Sequence, residues 1–158
     1  MIRTAYRLVR ARHAARAFDG EGARRFGGRW NPIGTPAVYL ASHRSLAVLE
    51  ILANLERTDA LAGFVFFEVR FDERAVERLD PKRLPANWRR AEPPSALARL
   101  GAAWAAEAGS LLLEVPSAVV PPESNFVLNP RHPEFGSLEI GAAEPFDLDA
   151  RLLESTGA

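Results

Sequence analysis

The sequence predicts one mixed α+β domain whose C-terminal half is mainly β. Three observations carry this expectation. The chain has 158 residues, the span of a single domain and enough to bury a core without disulfides. Short runs of β-branched and aromatic residues recur along it, the strongest being GFVFFEVRF at 63–71. Two windows, around 44–57 and 95–108, carry apolar residues at helical spacing.

The elements follow in chain order. TAYRLV at 4–9 reads as a short strand or the start of a helix. Residues 18–36 are rich in Gly and Arg and contain Pro32 and Pro36, which predicts an ordered loop. AVYLA at 37–41 predicts a strand, and Ser42 offers an N-cap to a helix over 44–57. After the 63–71 strand, residues 72–94 form a charged, proline-containing connection around Trp88. Ser95 offers a cap to a second helix running to Ala108, with Leu97, Leu100 and Trp104 near one face. SLLLEVP (110–116), AVVP (118–121) and FVLN (126–129) read as strands, the last two separated by Pro121 and Pro122. NPRHPEFG (129–136) reads as a turn or lid loop, followed by a short strand near 137–140 and a polar tail. No repeat, low-complexity tract or linker interrupts the chain, so residues 1–158 are expected to form one domain.

Composition excludes several function classes. Twenty basic and 20 acidic residues cancel, which removes any global attraction to nucleic acid. No helix-turn-helix pattern is present, so direct nucleic-acid binding is not expected. Lys82 is the only lysine among the basic residues, a bias that fits a GC-rich genome. The absence of cysteine removes disulfides and thiolate chemistry. His13, His43 and His132 are far apart and show no metal-ligand spacing, so no metal is expected. No stretch approaches the roughly 18–20 apolar residues that span a bilayer, and no secretory core follows the N-terminal charges. Residues 1–17 are Arg-rich and free of acid, in loose likeness to an organellar transit peptide; the simpler reading is a first element of the fold. A cytoplasmic protein is expected.

Several residues stand out chemically. Glu50 is the only charged residue between Ser45 and Asn54, amid Val48, Leu49, Ile51 and Leu52. It either points to solvent beside Asn54 or is a carboxylate held in a cleft, where it must be paired or hydrogen-bonded. Arg29 follows two glycines and precedes Trp30-Asn31; it is either a salt-bridged turn residue or a guanidinium that forks onto phosphate. The surrounding pattern is neither a Walker loop nor a GxGxxG fingerprint. Tyr39, ten residues on, is either core or a ring that stacks on a ligand. Ser117 in VPSAVVP reads as a turn hydroxyl, since no base at a recognisable spacing makes it a nucleophile. Asn125 and Asn129 bracket FVL on one face of a strand, and His132 sits in a loop with no assigned role.

These residues carry a resemblance. FDGEGARRFGGRWNPIGTPAVYLA with SLAVLE, and VPSAVVPPESNFVLNPRHP further on, are similar to the RES-domain toxins of bacterial toxin–antitoxin systems, named for an arginine, a glutamate and a serine. The likeness starts at Tyr6-Arg7 and covers nearly the whole chain. Arg29, Glu50 and Ser117 fall on the three name-giving positions, and Tyr39 on the family's site tyrosine. The resemblance implies a compact fold similar to ADP-ribosyltransferases of the diphtheria-toxin-like kind. It implies NAD+ as substrate, cleaved at the nicotinamide–ribose bond by phosphorolysis or hydrolysis, with phosphate as a possible co-substrate. The catalytic set would be Arg29, Tyr39, Glu50 and Ser117. Arg7, Arg29, Tyr39 and Asn125 would hold the dinucleotide. The implied partner is an antitoxin with an Xre-like helix-turn-helix. A homodimer is a further expectation. Two alternatives remain open at this stage: transfer of ADP-ribose to a protein side chain, and a non-catalytic interaction module on the same fold.

Overall fold

The structure is a computed structural model that describes residues 1–55 and 63–154. Its body is an eight-stranded sheet. The strands are β1 (Ile2–Arg10), β2 (Val38–Ala41), β3 (Phe64–Asp72), β4 (Val76–Arg78), β5 (Leu112–Pro116), β6 (Ser124–Leu128), β7 (Glu139–Ile140) and β8 (Glu144–Phe146). Their order is β4-β5-β6-β2-β1-β3-β7, with β8 also on β3. The β4–β5 pair is parallel and the others are antiparallel. Among the described residues four α-helices accompany the sheet: α1 (Glu21–Phe26), α2 (Arg44–Asn54), α3 (Ser95–Glu107) and α4 (Arg151–Glu154). The α+β class and the compact single body are as the sequence predicts.

Register explains where the site lies. β1 and β3 pair along their full length, from Ile2↔Asp72 to Arg10↔Phe64. β1 and β2 share only Tyr6↔Ala41. The sheet therefore parts between β1 and β2, with β3, β7 and β8 on one side and β4 to β6 on the other. Strand alternation sends Ala5, Val38, Leu40, Val69, Phe71, Leu112, Phe126 and Leu128 to one face, where they form one apolar cluster. The opposite face carries both long helices. α3 brings Leu97 and Trp104 onto Leu113, Val115 and Val127. α2 brings Leu46 and Ala47 onto Leu8, Ala41, Phe64 and Phe66. The parting of the sheet thus opens on the helical face, beside α2.

Close backbone packing fixes α3. A Cβ at Gly101 would overlap the Trp30 carbonyl oxygen, so glycine lets the helix lie directly on the 28–31 turn.

Several expectations are corrected. The 4–9 segment is a strand, and it is longer than the apolar run suggested. The 18–36 loop contains α1, a helix of six residues that is too short to leave a periodic signal. Ser42 does not cap α2. His43 holds the N-cap position without a side-chain cap, while Ser42 donates its backbone N–H to the Ser124 carbonyl. α2 ends at Asn54; the rest of the predicted helix, 56–57, lies outside the described residues. Ser95 is the first residue of α3, preceded by Pro94 at the N-cap, and its hydroxyl accepts from Arg99 Nη1. AVVP at 118–121 is a turn rather than a strand, because the Ser117 hydroxyl takes the Val119 and Val120 N–H groups out of any ladder. The 72–94 connection contains β4, and the tail supplies β8 and α4.

Candidate functional site

The glycine-rich segment closes into a turn in which Gly28 and Asn31 form a β-bridge. Gly28 passes directly over the Tyr39 phenol, and a Cβ there would lie 2.7 Å from its oxygen. That oxygen donates to Asn31 Oδ1 at 2.6 Å and accepts from the Trp30 N–H at 3.1 Å. Asn31 is 1% exposed, and its Nδ2 donates to the carbonyls of Ala23, Pro32 and Thr35. Tyr39 is therefore a strut between β2 and the turn. Burial raises its pKa above the ordinary phenol range, against the Trp30 N–H and the Arg29 charge, which pull the other way. Asn31 also lines the cleft, and the sequence alone does not single it out, since nothing local distinguishes it from any turn asparagine.

Glu50 projects from α2 into a second constellation. Its Oε1 accepts from Ser117 Oγ at 2.7 Å and from Asn125 Nδ2 at 2.7 Å. Ser117 is fully buried, and its oxygen accepts the N–H groups of Val119 at 3.1 Å and Val120 at 2.9 Å. Both lone pairs of that hydroxyl are engaged, so its proton is directed at Glu50. Ser117 is an orienting donor and carries no free lone pair for nucleophilic attack. Asn54 does not share the Glu50 side chain; it donates to the Glu50 backbone carbonyl. The solvent-pointing reading of Glu50 is thus set aside.

Arg29 Nη1 donates to the carbonyls of Trp88 at 2.8 Å and Arg90 at 2.9 Å. This leaves Nε and Nη2 as donors for an anion. Burial lowers the Arg29 pKa, and the charge of Glu50 opposes that shift. The 88–90 segment is further tied down by Arg89 Nε, which donates to the Ala118 carbonyl at 3.0 Å. The sequence placed this segment in a connection and gave no sign that it walls the site.

Arg7 sits at the parting of the sheet. Its Nε donates to the Ala17 carbonyl at 2.8 Å and its Nη1 to the Tyr39 carbonyl at 3.1 Å. The guanidinium thus satisfies a β2 carbonyl where β1 has drawn away. Burial lowers its pKa to about 10, against the pull of Asp19.

Arg7, Arg29, Tyr39, Glu50 and Asn125 line one cleft of about 1130 Å³, with Ser117 buried directly behind Glu50. That is at or above the roughly 300–1,000 Å³ of pockets for drug-sized ligands, and so it suits a larger one. The predicted site residues are brought together. Asn129 and His132 are not among them. Asn129 donates to the Ala105 carbonyl, and His132 bonds the Ala108 carbonyl through Nε2 at 3.0 Å while Nδ1 accepts the Glu134 N–H. His132 is a structural clasp on the end of α3. Among the described residues no group of three or more His, Cys, Asp or Glu is placed to hold a metal ion. No helix among them is long and apolar enough to cross a membrane.

Comparison with known proteins matches the chain to a family. The RES domain pattern matches residues 4–149. Toxin Res of Yersinia enterocolitica serotype O:8 / biotype 1B is 39% identical over 149 residues, 93% of this chain and 97% of that protein. The Prs ADP-ribosylating toxin of Sphingobium sp. strain YBL2 is 33% identical over 139 residues, 85% of this chain and 86% of that one. The NAD(+) phosphorylase MbcT of Mycobacterium tuberculosis is 49% identical over a shorter stretch of 49 residues, 30% of this chain and 25% of that one. Among solved structures, a chain of the M. tuberculosis MbcT–MbcA toxin–antitoxin complex matches with a TM-score of 0.76 at 25% identity, covering 98% of this chain and 88% of that one.

Proposed function

The chain belongs to the RES-domain family, and from that premise we propose that it is the toxin of a toxin–antitoxin pair and that it cleaves the nicotinamide–ribose bond of NAD+. The observation that carries the chemistry is the Glu50 carboxylate, fixed by two neutral donors at the wall of a large cleft that also holds Arg29.

The chemistry suits such a site. Breaking the bond sends its electron pair to the pyridinium nitrogen, so nicotinamide leaves as a neutral molecule without a general acid. Positive charge develops on the ribose as an oxocarbenium-like centre. Catalysis then rests on positioning and electrostatics. Glu50 stabilises that charge and accepts a ribose hydroxyl. Arg29 offers Nε and Nη2 to the pyrophosphate, with the Arg7 charge adding to the field. Tyr39 presents its ring to the nicotinamide or its ribose, its hydroxyl being committed to the turn. Phosphate or water adds an oxygen to the anomeric carbon and completes the reaction. A fold kinship with diphtheria-toxin-like ADP-ribosyltransferases belongs to the same reading. So do an Xre-like antitoxin as partner, a homodimer and action in the cytoplasm.

The name of the Sphingobium relative favours a second reading, in which a protein side chain is the acceptor. One experiment separates the acceptors. Purified protein is incubated with labelled NAD+, with and without phosphate, and the products are weighed by mass spectrometry. Released nicotinamide with ADP-ribose 1″-phosphate means phosphorolysis, and free ADP-ribose means hydrolysis. Label on protein means transfer. Intact NAD+ in every arm contradicts the proposal.

A further inference from the structure

Asn125 enters the site in an unusual way. Its Nδ2 is committed to Glu50 Oε1 at 2.7 Å, while its Oδ1 is buried with no hydrogen-bond partner. An orphaned buried acceptor of this kind costs about 1–3 kcal/mol. The alternative orientation would turn Oδ1 toward the Glu50 carboxylate and set two acceptors against each other. The fold thus tolerates an unsatisfied carbonyl in order to keep an N–H on Glu50. Ser117 supplies the second donor to the same oxygen, its own proton forced there by the Val119 and Val120 amides. β6 holds the asparagine rigidly, because Asn125 pairs with Ala41 on one side and with Val115 on the other.

We infer that Asn125 is a positioning residue that acts through Glu50 and not a ligand for the dinucleotide. Its amide and the Ser117 hydroxyl together saturate Oε1, fix the plane of the carboxylate and leave Oε2 as the oxygen that works on the substrate. Both donors are neutral, so they orient the carboxylate without cancelling its charge. This inference rests on the proposed NAD+ cleavage and adds a division of labour between the two carboxylate oxygens.

The geometry separates a positioning role from a structural one. Asn125→Leu removes the donor and the orphaned carbonyl together at similar volume. Its melting temperature is expected to equal or exceed that of the parent, while kcat falls about 100-fold, the scale of a misplaced catalytic group, with KM changed less than about threefold. Asn125→Gln keeps the amide and is expected to restore part of kcat. In a Glu50→Gln background the further change Asn125→Leu is expected to leave the residual kcat where it was, since the group it positions is already gone.

Parental kcat in Asn125→Leu, a rise in KM alone, or an additive loss in the Glu50→Gln background would overturn the inference. A melting temperature that drops in step with activity would overturn it as well, by making the residue structural. Failure of the NAD+ reading itself shows differently, as a parent protein that leaves NAD+ intact. In that case the division of labour between the two carboxylate oxygens falls with it.

Discussion

Glu50 and Glu114 are both carboxylates set into the body of the protein, and their surroundings treat the charge in opposite ways. Glu114 lies on β5, with its side chain 11% exposed, between the guanidinium groups of Arg3 at 3.0 Å and Arg78 at 2.9 Å. Glu50 lies on α2 beside the cleft, and its Oε1 takes a hydroxyl and an amide. Cationic partners pair directly with Glu114, whereas Glu50 accepts from neutral donors and feels the Arg29 charge only from across the cleft. The difference teaches that partial burial does not by itself set a carboxylate's role: both side chains are half-buried, and what separates the fold-holding Glu114 from the proposed substrate carboxylate Glu50 is the charge of their donors.

The largest effect that tests this contrast is on turnover. Glu50→Gln keeps the shape and the Ser117 contact but removes the charge. Nicotinamide release is expected to fall about 10²–10³-fold, the scale for removing one electrostatic stabiliser of a transition state, with the melting temperature within a few degrees of the parent. Glu114→Gln should do the reverse. It weakens hydrogen bonds from two guanidinium groups and should cost roughly 1–3 kcal/mol in denaturant unfolding, while nicotinamide release stays within twofold of the parent. If both variants lost stability and activity together, the contrast between the two sites would collapse.

A smaller effect sharpens the description of the cleft wall. Tyr39→Phe keeps the ring and deletes the hydroxyl that bridges Asn31 and Trp30. The expected result is a loss of about 1–3 kcal/mol, from two buried groups left unpaired, with KM for NAD+ nearly unchanged. A large rise in KM would make the hydroxyl a ligand contact.

The smallest effect is in acid. Burial alone would raise the Glu114 pKa, but hydrogen bonds from Arg3, Ser124 and Arg78 outweigh it and hold the carboxyl below the ordinary carboxylate range. Its stabilising contribution is therefore complete above the unfolded value of about 4.3 and is lost as pH falls through the lower folded value. Denaturant midpoints measured from pH 7 down to pH 3 should converge for the parent and Glu114→Gln. Asp72 and Asp149 shift in the same direction but are present in both proteins, so they cancel in the difference.

Much of the site could be read in the sequence, and its wiring could not. Arg29, Tyr39 and Glu50 stood out as polar residues in glycine-rich or apolar settings, whereas Arg7, Ser117 and Asn125 joined them only through the family resemblance. Their partners were hidden because they come from distant chain positions: Ser117 and Asn125 reach Glu50 across 67 and 75 residues. The direction of the Ser117 proton depends on two backbone amides, which no residue type encodes. Errors in the elements have local causes. AVVP has strand propensity, yet a serine just before it captures its N–H groups in a turn. Ser42 looks like a cap, yet its backbone is already committed to Ser124 across the sheet. The strand expectations at 37–41 and 63–71 held because these β-branched and aromatic runs are buried on both faces, Val38, Leu40, Ala41 and all of Phe64 to Phe67 being buried.

The central claim is that the charge of Glu50 is kept for a cation that forms on the ribose. The most direct measurement compares, by calorimetry, a protonated pyrrolidine analogue of the ribosyl centre with its neutral oxygen-ring isostere, in the parent and in Glu50→Gln. The account predicts that the cation binds the parent at least about tenfold more tightly than the isostere, as expected for opposite charges in contact near a protein surface, and that Glu50→Gln abolishes the preference. An equal preference for the cation in both proteins would contradict it.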